Sequence, residues 1–449
     1  MGMTRRDALF FAAMAALLIG TGFFQSWNTA LTILNMGLIS AVMAMGVNLQ
    51  WGYAGLFNVG IMGFVALGGL GVVLTTSAPV PEAWAAGGPR LLAGLALGAA
   101  TIAGAVIAWG RMGAGRARSF TVLAILVVGF FVYRGVFDPA VQAVEAVDPA
   151  ATGYLGGLNL PVLLAWPIGG LLAAGAAWLI GKTALGLRSD YLAIATLGIA
   201  EILISILKNE DWLARGVKNV VGLPRPVPYE VDLQNDPGFV EFATGWGADP
   251  VTFSSITVKL SYGLLFAGVL IILMVLAQLA QNSPWGRMMR AIRDNEVAAE
   301  AMGKDVTRRH LQIFIIGSAV CGVAGAMMTT LDSAMTPSSY QPLRFTFLVW
   351  VMVIVGGSGN NFGAILGGIL IWFCWVQAEP AGQMLANGFF GFAETITGVT
   401  DGGDPLRLRW LMAAAEQIRD NAQHLRLLTM GVILLLVLRF SPRGLIPER

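Results

Sequence analysis

Few side chains in this sequence are placed to do chemistry. Ser358 sits in a glycine-rich turn, GGSG at 356–359, and a serine there becomes a nucleophile only when a histidine reaches it as a base. Two histidines are present, His310 and His424. Both lie at the edges of apolar runs, neither at the depth of Ser358. Lys182 and Thr183, in GKT at 181–183, suggest a phosphate loop, but the first glycine of GxxxxGK[ST] is replaced by Ala176, and the segment follows an apolar helix rather than a strand. Cys321 and Cys374 fall in apolar runs and read as buried structural residues. Without CxxC or HExxH, zinc has no ligand set. One carboxylate remains: Glu201, in LGIAEI at 197–202, well inside an apolar span. Such a group faces an ammonium or a water-filled path, or it is a buried structural acid close enough to the span's end to reach Lys208.

Membrane helices must position these residues. Hydrophobic residues make up 56% of the 449-residue chain and charged ones only 12%, with 57 glycines and 13 tryptophans. A soluble domain cannot hide that much apolar surface, so the chain reads as an all-α polytopic membrane protein. The basic residues are spread over short loops, which argues against nucleic acid as a partner. Arg5 and Arg6 precede an apolar run, 8–19, with no A-x-A site behind it, so the first span is expected to stay uncleaved. Further spans are expected at 29–48, 57–74, 91–109, 120–133, 160–180, 191–207, 260–279, 311–331 and 425–438. The run 345–377 is long enough for more than one crossing, yet GGSGNNFG at 356–363 interrupts it. It is expected to form a broken, re-entrant pair, because irregular backbone at membrane depth must be lined by protein or water.

Loop charges orient these spans. The basic connections 111–118, 182–188 and 282–310, with the tail from 439, belong on the cytoplasmic side; the acidic ones, 138–148 and 209–255, belong on the other. About ten spans plus the re-entrant pair satisfy every assignment, with both termini cytoplasmic. The chain is then one transmembrane domain, 1–449, with an outer-side loop at 209–255, a cytoplasmic loop at 282–310 and an outer-side insertion at 378–424. Segment 76–157 is also long for a connection.

Residues 282–310 form the one long charged stretch between apolar runs, with six basic residues against four acids. Its local signals resolve into short helices. Ser283 before Pro284 is an N-cap, Asp294 or Asn295 caps a second start, Gly303 stops it, and Asp305 caps a third. Between them EVAAEAMG, 296–303, makes one or two turns whose alanines let another protein's backbone come close.

The wording SPWGRMMRAIRDNEVAAEAMG, 283–303, resembles the EAA-type loop of ABC importer permeases in its LivM-type, branched-chain amino acid form. Three further stretches are similar to that family's signatures in the expected order: NLQWGYAGLFNVGIMGF at 48–64, SDYLAIATLGIAEI at 189–202 and VMVIVGGSGNNFGAILGG at 351–368. GLPRP at 222–226 is similar as well. There are departures. Where the family commonly carries a histidine in the first signature, this chain has Gly60, Ile61 and Met62, and segments 76–157 and 378–424 exceed the family core.

The resemblance implies a permease subunit of an ATP-driven, binding-protein-dependent importer in a bacterial inner membrane. It would work with a homologous second permease, two cytosolic ATPase subunits and a periplasmic substrate-binding protein. It would bind no cofactor itself, ATP being used by the partner. The coupling residues would be Asn295, Glu296, Ala298, Ala299, Glu300, Ala301 and Gly303. A hydrophobic amino acid crosses as a zwitterion, and interrupted helices expose backbone N–H and C=O groups to it. The candidate path is therefore Gly55, Asn58, Glu201, Gly356, Gly357 and Asn360. Urea or short amides are the alternative substrates. An intramembrane serine protease using Ser358 and an ion-coupled secondary transporter are the rival classes; the first lacks a placed histidine, and the second leaves the 296–303 loop unexplained.

Overall fold

The computed structural model describes residues 4–397, 417, 421 and 424–448. Its helices follow in the order α1 (Arg5–Phe24), α2 (Trp27–Ala54), α3 (Ile61–Thr76), α4 (Pro81–Arg111), α5 (Arg116–Glu145), α6 (Val162–Ala184) and α7 (Ser189–Asn209). Three short helices come next, α8 (Asp211–Ala214), α9 (Glu230–Asn235) and α10 (Pro237–Gly245). Then come α11 (Pro250–Asn282), α12 (Pro284–Asp294), α13 (Glu296–Ala301), α14 (Val306–Asp332), α15 (Pro342–Gly356), α16 (Asn361–Thr397) and α17 (Leu425–Phe440). Nine of the described helices, α16 among them, are long and apolar enough to cross a membrane, and α3 and α15 are shorter apolar helices. α17 is a 16-residue helix, and the turn 357–360 interrupts the run between α15 and α16. The chain is an all-α, multi-pass membrane protein.

The spans are held in register by contacts at two ends. At one, Arg6 of α1 donates to the Leu445 carbonyl beyond α17, and the charged loop 282–310 packs against α2. At the other, Gln25 after α1 donates to Gln377 of α16 (2.9 Å), and Ser255 of α11 donates to Asn28 of α2 (2.9 Å). The loop 209–255 folds over this second end. Its strand β1 (Val220–Val221) pairs antiparallel with β2 (Ala334–Met335), and Arg225 bonds both Ser333 (2.7 Å) and Glu230 (2.9 Å). Asp249 caps α11 through the backbone N–H and hydroxyl of Thr252, which hold its carboxyl below the ordinary range. Of the expected insertion 378–424, residues 378–397 continue α16. Residues 398–416, 418–420 and 422–423 lie outside the described residues.

The helices are not equivalent. In α2, 78% of the apolar window is buried, against 6% in α5, so α2 is the central post and α5 is peripheral. α4 and α5 form a hairpin with a core of its own, including Leu91, Phe137, Ala140 and Val144. Trp84 ties it to the Leu155 carbonyl (3.0 Å) and Glu145 ties it to the Trp212 N–H (3.2 Å). This hairpin makes up most of the long segment 76–157.

Lipid tails are as apolar as leucine, so helix association rests on close packing and interhelical hydrogen bonds. Glycine supplies the close packing where α3, α6 and α14 meet. A Cβ on Gly325 of α14 would run into the Val65 carbonyl of α3, and one on Gly68 into the Gly322 carbonyl. Gly325→Ala is therefore expected to destabilise the bundle by about 1–3 kcal/mol and to lower the monodisperse fraction recovered in mild detergent. Gly198→Ala, on α7 with nothing within 4 Å of the new methyl, is the matched control and should match the unsubstituted chain.

Candidate functional site

Two helix breaks meet at the end of the bundle that carries the charged loop. The first, 55–60, follows α2 and opens with Gly55 at φ +70°, a left-handed turn that glycine adopts without steric cost. The second, 357–360, joins α15 to α16 through Gly357 at φ +119° and Gly359 at φ +81°. Asn48 of α2 bridges α2 to the second break. Its oxygen accepts from the Gly359 N–H (2.8 Å) and its amide donates to Asn361 (3.2 Å), whose oxygen also accepts from Gln281 of α11 (2.9 Å). The indole of Trp350 on α15 donates to the Asn58 carbonyl (3.1 Å) and meets Trp51 and Phe57 edge-on, with centroids 5.1 and 4.7 Å away.

Asn58 is buried and fully engaged. Its oxygen accepts from the Gly60 N–H (2.9 Å) and its amide donates to Gln50 (2.9 Å). Gln50 then donates to the Phe314 carbonyl (2.9 Å) and to Ser318 (3.0 Å) on α14, while the Val59 N–H donates to Thr196 of α7 (3.1 Å). Asn360 does the same for the second break. Its oxygen accepts from the Phe362 and Gly363 N–H groups (3.0 and 3.4 Å), and its amide donates to the Pro447 carbonyl (3.2 Å).

The tail beyond α17 closes this end. The Leu445 and Ile446 N–H groups donate to the Val355 and Gly356 carbonyls, both at 2.9 Å. Glu448 pairs with Arg293 of α12 at 2.7 Å. Arg293 also donates to the Gly52 carbonyl of α2 and pairs with Asp294 at 3.1 Å. Burial works against its charge, but Glu448 and then Asp294 outweigh that and raise the pKa of the guanidinium above its usual value. One arginine thus joins the charged loop, the end of α2 and the tail. A void of about 30 Å³, lined in part by Tyr53, Gln281, Arg290 and Asn361, lies beside it and has room for about one water.

Five of the six candidate path residues, Gly55, Asn58, Gly356, Gly357 and Asn360, therefore come together, and the chain's own side chains and tail fill the space between them. Glu201 lies apart, exposed on α7, in the wall of an open cleft of about 970 Å³ that Lys208, Arg344, Phe347, His424 and Arg426 also line. Among the described residues Glu201 makes no hydrogen bond or ion pair, with Lys208 or any other group. Ser358 is exposed in the 357–360 turn, whereas His424 precedes α17 at the opposite end and His310 lies on α14. No hydrogen bond among the described residues joins Ser358 to either histidine, so it has no base there.

The expected coupling residues form one feature. Ser283 caps α12, Asn295 caps α13 by accepting from Ala298 N–H (2.9 Å), Gly303 turns out at φ +76°, and Asp305 caps α14 through Arg308 N–H (2.9 Å). Asn295, Glu296, Ala298, Glu300, Ala301 and Gly303 are exposed. Ala299 is turned inward, buried with Ile292 and Val306, and anchors the helix rather than presenting a surface. Val297 and Met302 stand out on its surface, 77% and 79% exposed. Neither was among the expected coupling residues, because a lone valine or methionine in a polar loop carries no pattern. Arg293, Gln50, Gln281 and Glu448 were missed for a related reason: their partners are far away in sequence.

The family described as branched-chain amino acid transport system, permease component, matches residues 114–438. That range includes α5 and starts after α4. Over 210 residues the chain is 32% identical to the high-affinity branched-chain amino acid transport system permease protein LivM of Escherichia coli strain K12, covering 46% of this chain and 48% of that one. Over 299 residues it is 26% identical to the probable branched-chain amino acid transport permease protein LivM of Methanocaldococcus jannaschii, covering 66% and 70%. It is also 24% identical over 265 residues to the ribose import permease protein RbsC of Haemophilus influenzae, covering 57% and 73%. The chain spans about half the length of its Escherichia coli relative. No solved structure matches it.

The Arg293 cluster yields a direct expectation. Glu448→Gln removes the charged partner of a half-buried guanidinium, and a charge-assisted hydrogen bond contributes about 1.5–3 kcal/mol before solvent screening reduces it. Amide hydrogen exchange at Leu445 and Ile446 should quicken by about tenfold, or 1.4 kcal/mol, while exchange in α2 stays unchanged. Unchanged exchange at both amides would mean that the backbone bonds alone hold the tail.

Proposed function

The chain belongs to the family of branched-chain amino acid transport permease components, and from that membership we propose that it is the membrane-spanning subunit of an ATP-driven, binding-protein-dependent importer of branched-chain amino acids. The observation that carries the coupling part of this reading is α13. It is two turns of helix capped at both ends, held from below by Ala299 and presenting Val297 and Met302 to solvent between small alanines. Exposed apolar side chains rimmed by charge, here Glu296, Glu300 and Lys304, are the mark of a protein-docking surface. The partner proposed for it is a cytosolic ATPase subunit. The end bearing α13 is then cytoplasmic, in agreement with its basic loops, and the membrane is the bacterial inner membrane.

The mechanism proposed is alternating access. Closure of two ATPase subunits moves α13, and α12 carries the motion because Arg293, at its end, is bonded to the Gly52 carbonyl and to Glu448. Through these contacts the displacement reaches both helix breaks at once. This permease and a homologous second one would rock about a path between them, with a periplasmic binding protein delivering substrate at the opposite end. ATP is used by the partner, and this chain supplies no catalytic residue.

Two measurements test the reading. Val297→Asp with Met302→Asp, and separately Glu296→Ala with Glu300→Ala, should lower ATP-coupled uptake by about tenfold or more, as loss of a docking hot spot of about 2 kcal/mol does, while the chain stays in the membrane in normal amount. Intact uptake in both double variants would sink the docking assignment. Uptake of labelled leucine and labelled urea, in cells with and without this chain, decides the substrate. Loss of leucine uptake alone is expected; loss of urea uptake alone would keep the architecture and replace the substrate.

A further inference from the structure

Glu201 is in the wrong place for a lipid-facing side chain. It stands eight residues before Asn209, the last residue of α7, so about 12 Å of helix separates it from that end. A glutamate side chain is far too short to snorkel over that distance. The cost of a carboxylate in hydrocarbon means that such a group faces a cavity, water or another protein, yet this chain leaves Glu201 exposed and without a partner among the described residues. Arg344 shares its cleft. It lies in the first turn of α15, with its guanidinium over the Trp375 ring at 5.0 Å, and it too forms no ion pair among the described residues. Lys208, two turns further along α7 on the same face as Glu201, stands at the rim. Phe347 and Leu343 supply apolar wall to the same cleft.

We propose that the cleft between α7, α15 and the start of α17 is this chain's half of the substrate path, in which Glu201 receives the ammonium group and Arg344 the carboxylate of a zwitterionic amino acid, with Phe347 against its apolar side chain. The proposal rests on the importer reading above and refines it. Arg426 on the same wall is neutralised by Glu379 and Lys208 stands at the rim, which leaves Glu201 and Arg344 facing the space without neutralising each other, and that pair suits a ligand that carries both charges. A neutral amide or urea would leave both unpaired and desolvated. The same cleft is then the face turned toward the second permease, since a carboxylate at that depth faces a cavity, water or another protein and none of the described residues covers it. α5, by contrast, has Phe120, Val128 and Phe131 exposed and its Asp138 paired with Arg134, and it suits lipid.

The test uses the chain with its native partners in its own membrane. Phe347→Cys in a Cys374→Ala background is treated with a charged, membrane-impermeant methanethiosulfonate; Cys321, fully buried, stays unlabelled as the internal control. Labelling of the introduced thiol is expected, slowed about tenfold by leucine at about ten times its dissociation constant and not by urea. In parallel, Glu201→Gln and Arg344→Gln should each lower leucine uptake by about tenfold while the chain still copurifies with its partners. Absence of labelling would place Phe347 against lipid or packed protein and overturn the proposal. So would labelling that leucine does not slow, even if the charge variants lose uptake, since that loss would then be structural. Leucine uptake that does not depend on this chain in the first place would overturn the importer reading itself, a result visible before any variant is made.

Discussion

The structure depends on one constraint: where a helix breaks inside a membrane bundle, every backbone N–H and C=O it releases must find a partner within the protein. This chain meets the constraint with side-chain amides. Asn58 takes up the Gly60 N–H, Asn48 takes up the Gly359 N–H, and Asn360 takes up those of Phe362 and Gly363. Trp350 serves the Asn58 carbonyl, and the tail's own N–H groups serve Val355 and Gly356. The bonds of Asn58 and Asn360 to N–H groups are local, but those of Asn48, Trp350 and the tail cross between elements, and Gln50 and Thr196 extend the network to α14 and α7.

The same economy explains why the breaks sit next to each other. Gly52 approaches the backbone of Gly359 so closely that a methyl on it would overlap the Gly359 nitrogen, and Asn48 spans the remaining gap. Two breaks that share partners need fewer buried polar groups than two isolated ones. The price is rigidity, because a shared network cannot give way at one point only. Interfaces and packed cores of this kind switch between discrete arrangements rather than deforming gradually. On the coupling reading, that is the property wanted at the foot of a lever: α13 is anchored by Ala299 on Ile292 and Val306 and turns its other face outward, whereas Arg293 at its root is bonded to two other elements.

How much of this was legible in the sequence follows from how local each signal is. The caps Ser283, Asn295 and Asp305 and the stop at Gly303 depend on neighbours a few residues away, and the structure has them where the spacing placed them; the spans were legible as apolar runs, but the helices of α4, α5 and α11 run about ten residues past them at one end or the other. The glycine breaks at 55 and 356–359 were also readable, since positive φ selects glycine. The contacts between them were not. Gln50 meets Ser318 across 268 positions and Glu448 meets Arg293 across 155; neither residue type nor spacing announces such a pair. Ala299 shows the opposite limit: its helix was legible, but which alanine faces inward depends on Ile292 and Val306, outside the motif.

Glu201 joins these two kinds of knowledge. Its position in an apolar run marked it as costly, and that cost admits two resolutions in sequence, burial among partners or exposure to a polar space. Among the described residues Glu201 is exposed and no partner comes from α7 or from the helices packed on it. On the importer reading, a carboxylate left uncovered at membrane depth needs something polar opposite it. Among the described residues, side-chain amides, Trp350 and the tail bond both helix breaks, whereas Glu201 is left open. On the same reading, the bonded network suits mechanics and the open cleft suits whatever passes through or packs beside it.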